Sequence, residues 1–141
     1  MLLVCSSFWS ATFAQPKTER AELDVLDYKV ILEPNIAQKS LSGTIMIRFL
    51  KKGAASEVAF DCGSLIIDEA KCAELLSYRQ EKQKLILKLS PMSQSDYLLA
   101  IKYHGAPCRG VSFFPEINQV HSVFHTNEWM VCNVHPSERA T

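Results

Sequence analysis

Apolar side chains recur at every second position along several stretches of this chain, and this rhythm constrains the fold more than any other feature. In residues 41–50, Ile45, Ile47 and Phe49 fall on one side and Arg48 falls on the other. A period of two is typical of a β-strand, whose successive side chains point to opposite faces of a sheet. The stretch is therefore predicted to be a strand with one buried face.

The same pattern recurs along the chain, with turn-forming residues between the stretches. Further strands are predicted over residues 23–32, 58–61, 84–89 and 97–103. In the first of them, Tyr28, Val30 and Leu32 share one side. Glu33, Pro34 and Asn35 are predicted to end that strand, because proline lacks the backbone donor of a ladder and asparagine favours turns. The first two strands read as a hairpin.

Two stretches leave the choice of element open. Residues 65–67 either extend the strand at 58–61 or follow it, and residues 69–76 form either a brief helix or another strand. Recurrent short strands with turns between them, and no convincing long helix, favour a mainly β protein. The predicted fold is an antiparallel β-sandwich with one face of the sheet in water.

Size and charge exclude several classes of function. A chain of 141 residues is long enough for one domain and can bury a hydrophobic core. Lys and Arg number 15 and Asp and Glu number 15, so the formal net charge is zero, and no basic stripe is present. Nucleic acid is therefore not an expected partner. No segment of the sequence is predicted to be a transmembrane helix.

The first residues are typical of an export signal. Residues 1–14 carry no charge and end in small residues before Gln15. This pattern predicts a signal peptide over 1–14, a linker over 15–22 and a β-sandwich domain over 23–141. The protein is accordingly expected to be exported to a periplasmic or extracellular space. The alternative is that the apolar run forms a buried N-terminal strand or helix.

Four cysteines remain once the leader is removed, because Cys5 lies within it. They are Cys62, Cys72, Cys108 and Cys132. In an exported protein this number permits zero, one or two disulfides, and buried free thiols are an equal alternative. No C-x-x-C pair occurs, so the spacing predicts neither a zinc knuckle nor a thioredoxin-like redox site.

Histidines and cysteines crowd the last third of the chain. The group consists of His104, Cys108, His121, His125, Cys132 and His135. Zinc prefers these ligands, and the spacing of His121 and His125 would place both on one face of a helix. The residues between them lack the Glu of a catalytic H-E-x-x-H and favour a strand. A Cys132 nucleophile with His125 or His135 is a further hypothesis. No residue is assigned a catalytic, cofactor-binding or metal role.

Beyond His104 the alternation fades, and aromatic residues gather in segments of a definite order. Residues 110–114 read GVSFF, residues 124–126 read FHT and residues 129–141 read WMVCNVHPSERAT. Near the front, residues 26–34 read LDYKVILEP and residues 41–44 read LSGT. In this order and spacing, the segments resemble the N-terminal domain of aminopeptidase N-like zinc metallopeptidases, peptidase family M1. The resemblance covers residues 24–141.

The resemblance implies a saddle-like β-sandwich ahead of a thermolysin-like catalytic domain. That later domain carries zinc through H-E-x-x-H, a motif absent from these 141 residues. The chain is therefore expected to end before the last strands of the N-terminal domain, and zinc is expected only in the catalytic domain. Phe124, Trp129 and Cys132 are expected to be packed rather than reactive. Family members often place a Gln or Glu nearby to hold the substrate's free amine, but Glu128 is not assigned that role.

Three functions follow from these patterns. The first is a non-catalytic N-terminal domain of an exported zinc aminopeptidase, which helps to form the substrate cleft of a covalently linked C-terminal peptidase domain. Peptide substrate would reach the chain only through that domain. The alternative is a free-standing exported β-sandwich that binds a protein or carbohydrate partner. The third is a small metal-binding protein that uses His121, His125 and neighbouring residues.

Overall fold

The computed structural model describes residues 22–91 and 96–134. The predicted signal peptide, most of the predicted linker and His135 lie outside these residues. Glu22, the last residue of the predicted linker, already begins the first strand. Within the described ranges, no helix is long and apolar enough to cross a membrane.

The described residues form nine strands and two short 3₁₀ helices. The strands are β1 Glu22–Asn35, β2 Ser40–Lys52, β3 Glu57–Asp61, β4 Ile66–Lys71, β5 Leu75–Glu81, β6 Lys84–Leu89, β7 Asp96–Gly105, β8 Val111–Phe114 and β9 Gln119–Ser122. The 3₁₀ helices are Pro115–Ile117 and Thr126–Glu128.

Two antiparallel sheets form the body of the molecule. The larger sheet has the strand order β1-β2-β7-β4, and the smaller sheet has the order β3-β6-β5. β8 and β9 form a separate hairpin. All of these strand pairs are antiparallel. The predicted mainly β, antiparallel architecture is therefore confirmed.

β1 and β2 form the predicted hairpin, but β1 runs further than the sequence predicts. Pro34 pairs with Leu41 inside the ladder. Proline is tolerated there because β1 is an edge strand. The turn comes after it, where the side-chain oxygen of Asn35 accepts a hydrogen bond from the Gln38 N–H at 3.0 Å. The strand therefore ends within the predicted stop, at Asn35, whereas Pro34 itself stays in the ladder.

A bulge in β1 decides which of its side chains face the core. The register shifts between Val25 and Asp27, so Leu26 is an extra residue relative to β2. Val25 is buried before the bulge, whereas Tyr28 and Val30 pack against the core after it. The inward side thus changes from odd to even positions, which simple alternation along this strand does not reveal.

The stretch that the sequence leaves undecided contains parts of two strands. β4 ends at Lys71 and β5 begins at Leu75, so residues 69–76, all of them described, contain no helix. Lys82 and Gln83 join β5 to β6 with positive φ values of 48° and 64°. Two successive positive φ values are the conformation of a type I′ hairpin turn, which Asn and Gly usually fill. The Lys-Gln pair therefore offers no turn signal in the sequence.

The core lies between the two sheets, and Phe49 of β2 is a central member of it. Its ring stacks on Tyr97 of β7 in the same sheet and meets Phe60 of β3 in the smaller sheet edge to face. Both centroid distances are 5.3 Å, and none of the three residues is more than 1% exposed. Burying a large apolar side chain contributes roughly 1.5–3 kcal/mol. This aromatic contact therefore helps to hold the sheets face to face.

Gly43 makes room for a tyrosine on the neighbouring strand. A Cβ atom at Gly43 would lie 2.5 Å from Cζ of Tyr103, too close for any side chain. Because the position carries no side chain, the Tyr103 ring lies over β2, and its hydroxyl donates a hydrogen bond to the carbonyl oxygen of Trp129 at 3.1 Å. The LSGT pattern near the front of the chain is thereby connected to a residue near its end.

Phe49→Ala is expected to lower the free energy of unfolding by about 3–5 kcal/mol, because it removes the ring that contacts both sheets and leaves a cavity. Leu98→Ala is the control, since Leu98 is 58% exposed on the outer side of β7. Its effect is expected to stay within about 0.5 kcal/mol. Urea unfolding followed by circular dichroism measures both variants, and equal losses would contradict this account of the core.

Candidate functional site

Residues 129–134, here called the C-terminal segment, bond to both sheets. The Asp61 N–H in β3 donates to the Cys132 carbonyl at 2.7 Å, and the Cys132 N–H donates to the Asp61 carbonyl at 2.9 Å. On the side of the larger sheet, the Asn133 N–H donates to the hydroxyl oxygen of Tyr28 in β1 at 3.0 Å. The C-terminal segment is therefore an integral part of the fold.

Asp61 also holds the C-terminal segment through its side chain. Its Oδ2 accepts a hydrogen bond from the Val134 N–H at 3.2 Å, and its Oδ1 lies 2.6 Å from the Lys84 Nζ. Tyr103 adds the bond to the Trp129 carbonyl from the other sheet. One such bond contributes only about 0.5–1.5 kcal/mol net. Because several converge on one short segment, they fix its position together.

Glu128 lies just before the C-terminal segment and is the one buried charged side chain among the described residues. Its Oε1 accepts a hydrogen bond from Arg109 Nη2 at 2.8 Å, and its Oε2 accepts one from the Ser64 hydroxyl at 3.2 Å. The sequence assigns no role to Glu128. Its partners are 19 and 64 residues away, so no local spacing reveals them.

Gly63 allows the Glu128 carboxylate to approach the sandwich closely. Its φ is 48°, in the left-handed region. A Cβ atom at Gly63 would lie 2.7 Å from the Asn127 carbonyl oxygen and 2.9 Å from Oε2 of Glu128. Both the backbone conformation and the close contact favour glycine. The position of the 3₁₀ helix Thr126–Glu128 thus depends on this residue.

Phe124 and His125 form a turn that projects into solvent. Their φ values are 54° and 44°, a conformation that is uncommon for residues other than glycine and an outlier for bulky ones. Phe124 is 83% exposed, so the expectation that it is packed is wrong. Trp129 packs against the core and Cys132 is buried, as expected.

An open groove of about 470 Å³ runs beside this turn. It is lined by Tyr28, Phe124, His125, Thr126, Asn127, Met130, Cys132, Asn133 and Val134. Its walls combine two aromatic rings, amide and hydroxyl groups, and the C-terminal segment. A mixture of apolar surface and a few polar groups is suited to binding a peptide or another protein surface.

Two of the histidines predicted as possible metal ligands, His104 and His121, have other partners in the fold. His104 Nδ1 lies 2.8 Å from an Asp68 carboxylate oxygen, and His121 Nε2 lies 3.2 Å from the Gln119 side-chain oxygen. His121 belongs to strand β9, so its four-residue spacing to His125 does not place both on one helical face. The part of the chain that the structure describes contains no group of three or more His, Cys, Asp or Glu that could hold a metal ion.

The four cysteines of the domain are free thiols. Burial raises the pKa of Cys132 to about 12 and that of Cys72 to about 11, and it also raises the pKa of Cys62. A nucleophilic cysteine must reach its thiolate form near neutral pH. Burial therefore argues against Cys132 as a nucleophile with either His125 or His135.

Known structures identify the fold. The M1 zinc metallopeptidase from Deinococcus radiodurans matches with a TM-score of 0.69 and 23% identity, over 86% of this chain and 31% of that chain. Native yeast LTA4 hydrolase matches with a TM-score of 0.68 and 16% identity, over 93% of this chain and 24% of that chain. This chain has the fold of the N-terminal region of M1 zinc metallopeptidases.

The M1-type fold confirms the structural side of the resemblance seen in the sequence. The chain spans 24–32% of the length of the solved chains that it matches. No family model matches the sequence, and no curated protein matches it. At these identities the comparison establishes the fold, and the activity of the matched peptidases does not transfer with it.

Arg109→Ala is expected to lower the free energy of unfolding by about 1–3 kcal/mol, because a buried carboxylate loses its charged partner. When Glu128 is already replaced by Gln, Arg109→Ala is expected to cost at least about 1 kcal/mol less unfolding free energy, since the two residues are coupled. Arg48→Ala is the matched control, because Arg48 pairs with Asp96 on the surface and should change stability little. If urea unfolding shows that the free-energy changes of the two single variants simply add up in the double variant, the coupling is contradicted.

The free energy of unfolding is expected to fall as the pH rises from 9 to about 12. The folded-state pKa of Cys132, about 12, lies above its ordinary value of 9.0, so the folded chain binds more protons than the unfolded chain across this window. Tyr103, whose pKa burial raises to about 12, acts in the same direction. Cys132→Ala should make the fall of unfolding free energy with pH shallower, by up to about 1.4 kcal/mol per pH unit. Cys108→Ala, at an exposed thiol, is the control, and identical slopes would contradict the prediction.

Proposed function

We propose that this chain is the non-catalytic N-terminal β-sandwich of an exported zinc aminopeptidase and forms one wall of its substrate cleft. The observation that supports the proposal is the fold match. It covers 84–94% of this chain but 24–32% of the matched chains, among them M1 zinc metallopeptidases. The proposal assigns the catalytic domain to residues beyond these 141.

The proposal places the cleft wall at the groove beside Phe124. A wall of a substrate cleft must hold its shape when substrate binds, because misplaced groups lose the advantage of orientation. The C-terminal segment meets this requirement through its bonds to Asp61 and Tyr28 from opposite sheets. The groove also offers exposed polar groups, such as the side chains of Thr126 and His125, that suit a peptide backbone.

Glu128 is a positioning residue in this proposal. Its carboxylate is buried and already paired with Arg109 and Ser64. It therefore has no free charge to offer a substrate's amine in this arrangement. Its role is to hold the 3₁₀ helix Thr126–Glu128, and with it the groove, against the sandwich.

Zinc is assigned by the proposal to the catalytic domain. The sequence contains no H-E-x-x-H, and within residues 22–91 and 96–134 no three candidate ligands are grouped to fit the ion. No step of peptide hydrolysis is therefore placed on the described residues. When bound in the catalytic domain, zinc would activate the water that attacks the peptide bond.

The proposal includes export, because the uncharged run at residues 1–14 resembles a signal peptide. If the leader is removed, the mature protein begins at Gln15, which N-terminal sequencing of the secreted product detects. The alternative function is a free-standing exported β-sandwich that binds a protein or carbohydrate partner.

The reading frame beyond Thr141 is expected to encode H-E-x-x-H within a few hundred residues. The full-length product should hydrolyse aminoacyl-p-nitroanilides, lose this activity with 1,10-phenanthroline and regain it with zinc. The 141-residue chain alone, with or without zinc, is the control and should be inactive. A frame without a peptidase domain would favour the free-standing alternative, and hydrolysis by the short chain at a comparable rate would contradict a non-catalytic role.

A further inference from the structure

We propose that Phe124 is the anchor by which this chain docks against the peptidase catalytic domain. The inference rests on the proposed function and names the residue at the contact between the two domains. It starts from the turn at residues 123–125. Phe124 is 83% exposed and Val123 is 59% exposed, so two neighbouring apolar side chains face solvent together.

The backbone of this turn is held in an unfavourable conformation. Phe124 and His125 both have positive φ, at 54° and 44°. For residues with a bulky side chain, this region of the backbone map is strained. The Phe124 ring is not buried by the described residues, so the fold gains little from it there. Strain that persists without local gain points to a role outside the domain.

The fold nevertheless fixes the turn firmly. The Val123 N–H donates to the Gly110 carbonyl at 2.9 Å, and the Glu128 N–H donates to the His125 carbonyl at 2.9 Å. A Cβ atom at Gly110 would lie 3.0 Å from the carbonyl oxygens of Phe124 and His125, so the two loops touch. An exposed aromatic side chain on a turn whose backbone is already fixed is suited to be an interface anchor, because little backbone ordering entropy is lost on binding.

Two observations favour the rest of a longer protein as the occupant of this surface. Val134, the last described residue, lines the same groove as Phe124, so the chain continues from the edge of this surface. Val134 is itself 54% exposed and extends the apolar patch. The matched peptidase chains carry more than two-thirds of their length outside the region that resembles this chain. The partner surface is accordingly an apolar pocket of the catalytic domain that receives the Phe124 side chain and leaves the polar groups of the groove to the substrate cleft.

Phe124→Gly in the full-length protein tests the proposal, because this change should relieve backbone strain within the domain but weaken docking between the domains. Glycine accepts positive φ without strain, so the 141-residue chain should be at least as stable to urea as the wild type. Loss of the anchor should free the domains, and limited proteolysis between them should become at least about tenfold faster. Leu98→Gly, at an exposed apolar residue on the outer face of β7, is the matched control and should leave the proteolysis rate unchanged.

Three results would overturn the docking role, and they are distinguishable. If the full-length protein is an active zinc aminopeptidase but Phe124→Gly and Leu98→Gly behave alike in proteolysis, the anchor is wrong and the proposed function stands. If the 141-residue chain dimerises in sedimentation and Phe124→Gly makes it monomeric, a second copy occupies the surface. If the full-length protein has no peptidase activity, the proposed function and the docking role are both wrong.

Discussion

Burial of one face of each sheet against the other is the constraint on which the rest of the molecule depends. Phe49 meets Phe60 across the interface, and each sheet thereby covers apolar surface that it could not bury alone. The same interface sets the position of β3, whose last residue, Asp61, bonds to Cys132. The C-terminal segment therefore acquires its position from the core, and the groove beside it keeps a fixed shape.

The chemistry of the candidate site follows from this placement. Burial makes Cys132 a poor nucleophile, and Arg109 neutralises the carboxylate of Glu128. The groups that remain accessible, Phe124 and His125 among them, offer an exposed aromatic ring and hydrogen-bonding groups. Such a site is suited to holding or positioning a partner. The proposed role, a domain that supports chemistry performed elsewhere in a longer protein, draws on this arrangement.

The sequence predicts the half-buried strands well, because alternation in β2 and β7 reflects one buried and one wet face. It does not reveal β5, whose side chains are mostly exposed and whose hairpin turn uses Lys82 and Gln83 in place of Asn and Gly. The site is harder to predict, since Glu128 finds its partners through tertiary structure. The expectation that Phe124 is packed comes from the resemblance to the M1 N-terminal domain. Its exposure depends on a backbone conformation that the sequence does not indicate.

Hydrogen exchange at single amides tests most directly whether the C-terminal segment is integral to the sandwich. The Cys132 and Asp61 amide hydrogens bond to each other's carbonyls, whereas Ile45 lies in the central strand β2. The account predicts that Cys132 and Asp61 exchange only through global unfolding, with the same opening free energy as Ile45. Exchange of Cys132 at the rate of an unstructured peptide, while Ile45 stays protected, would contradict it.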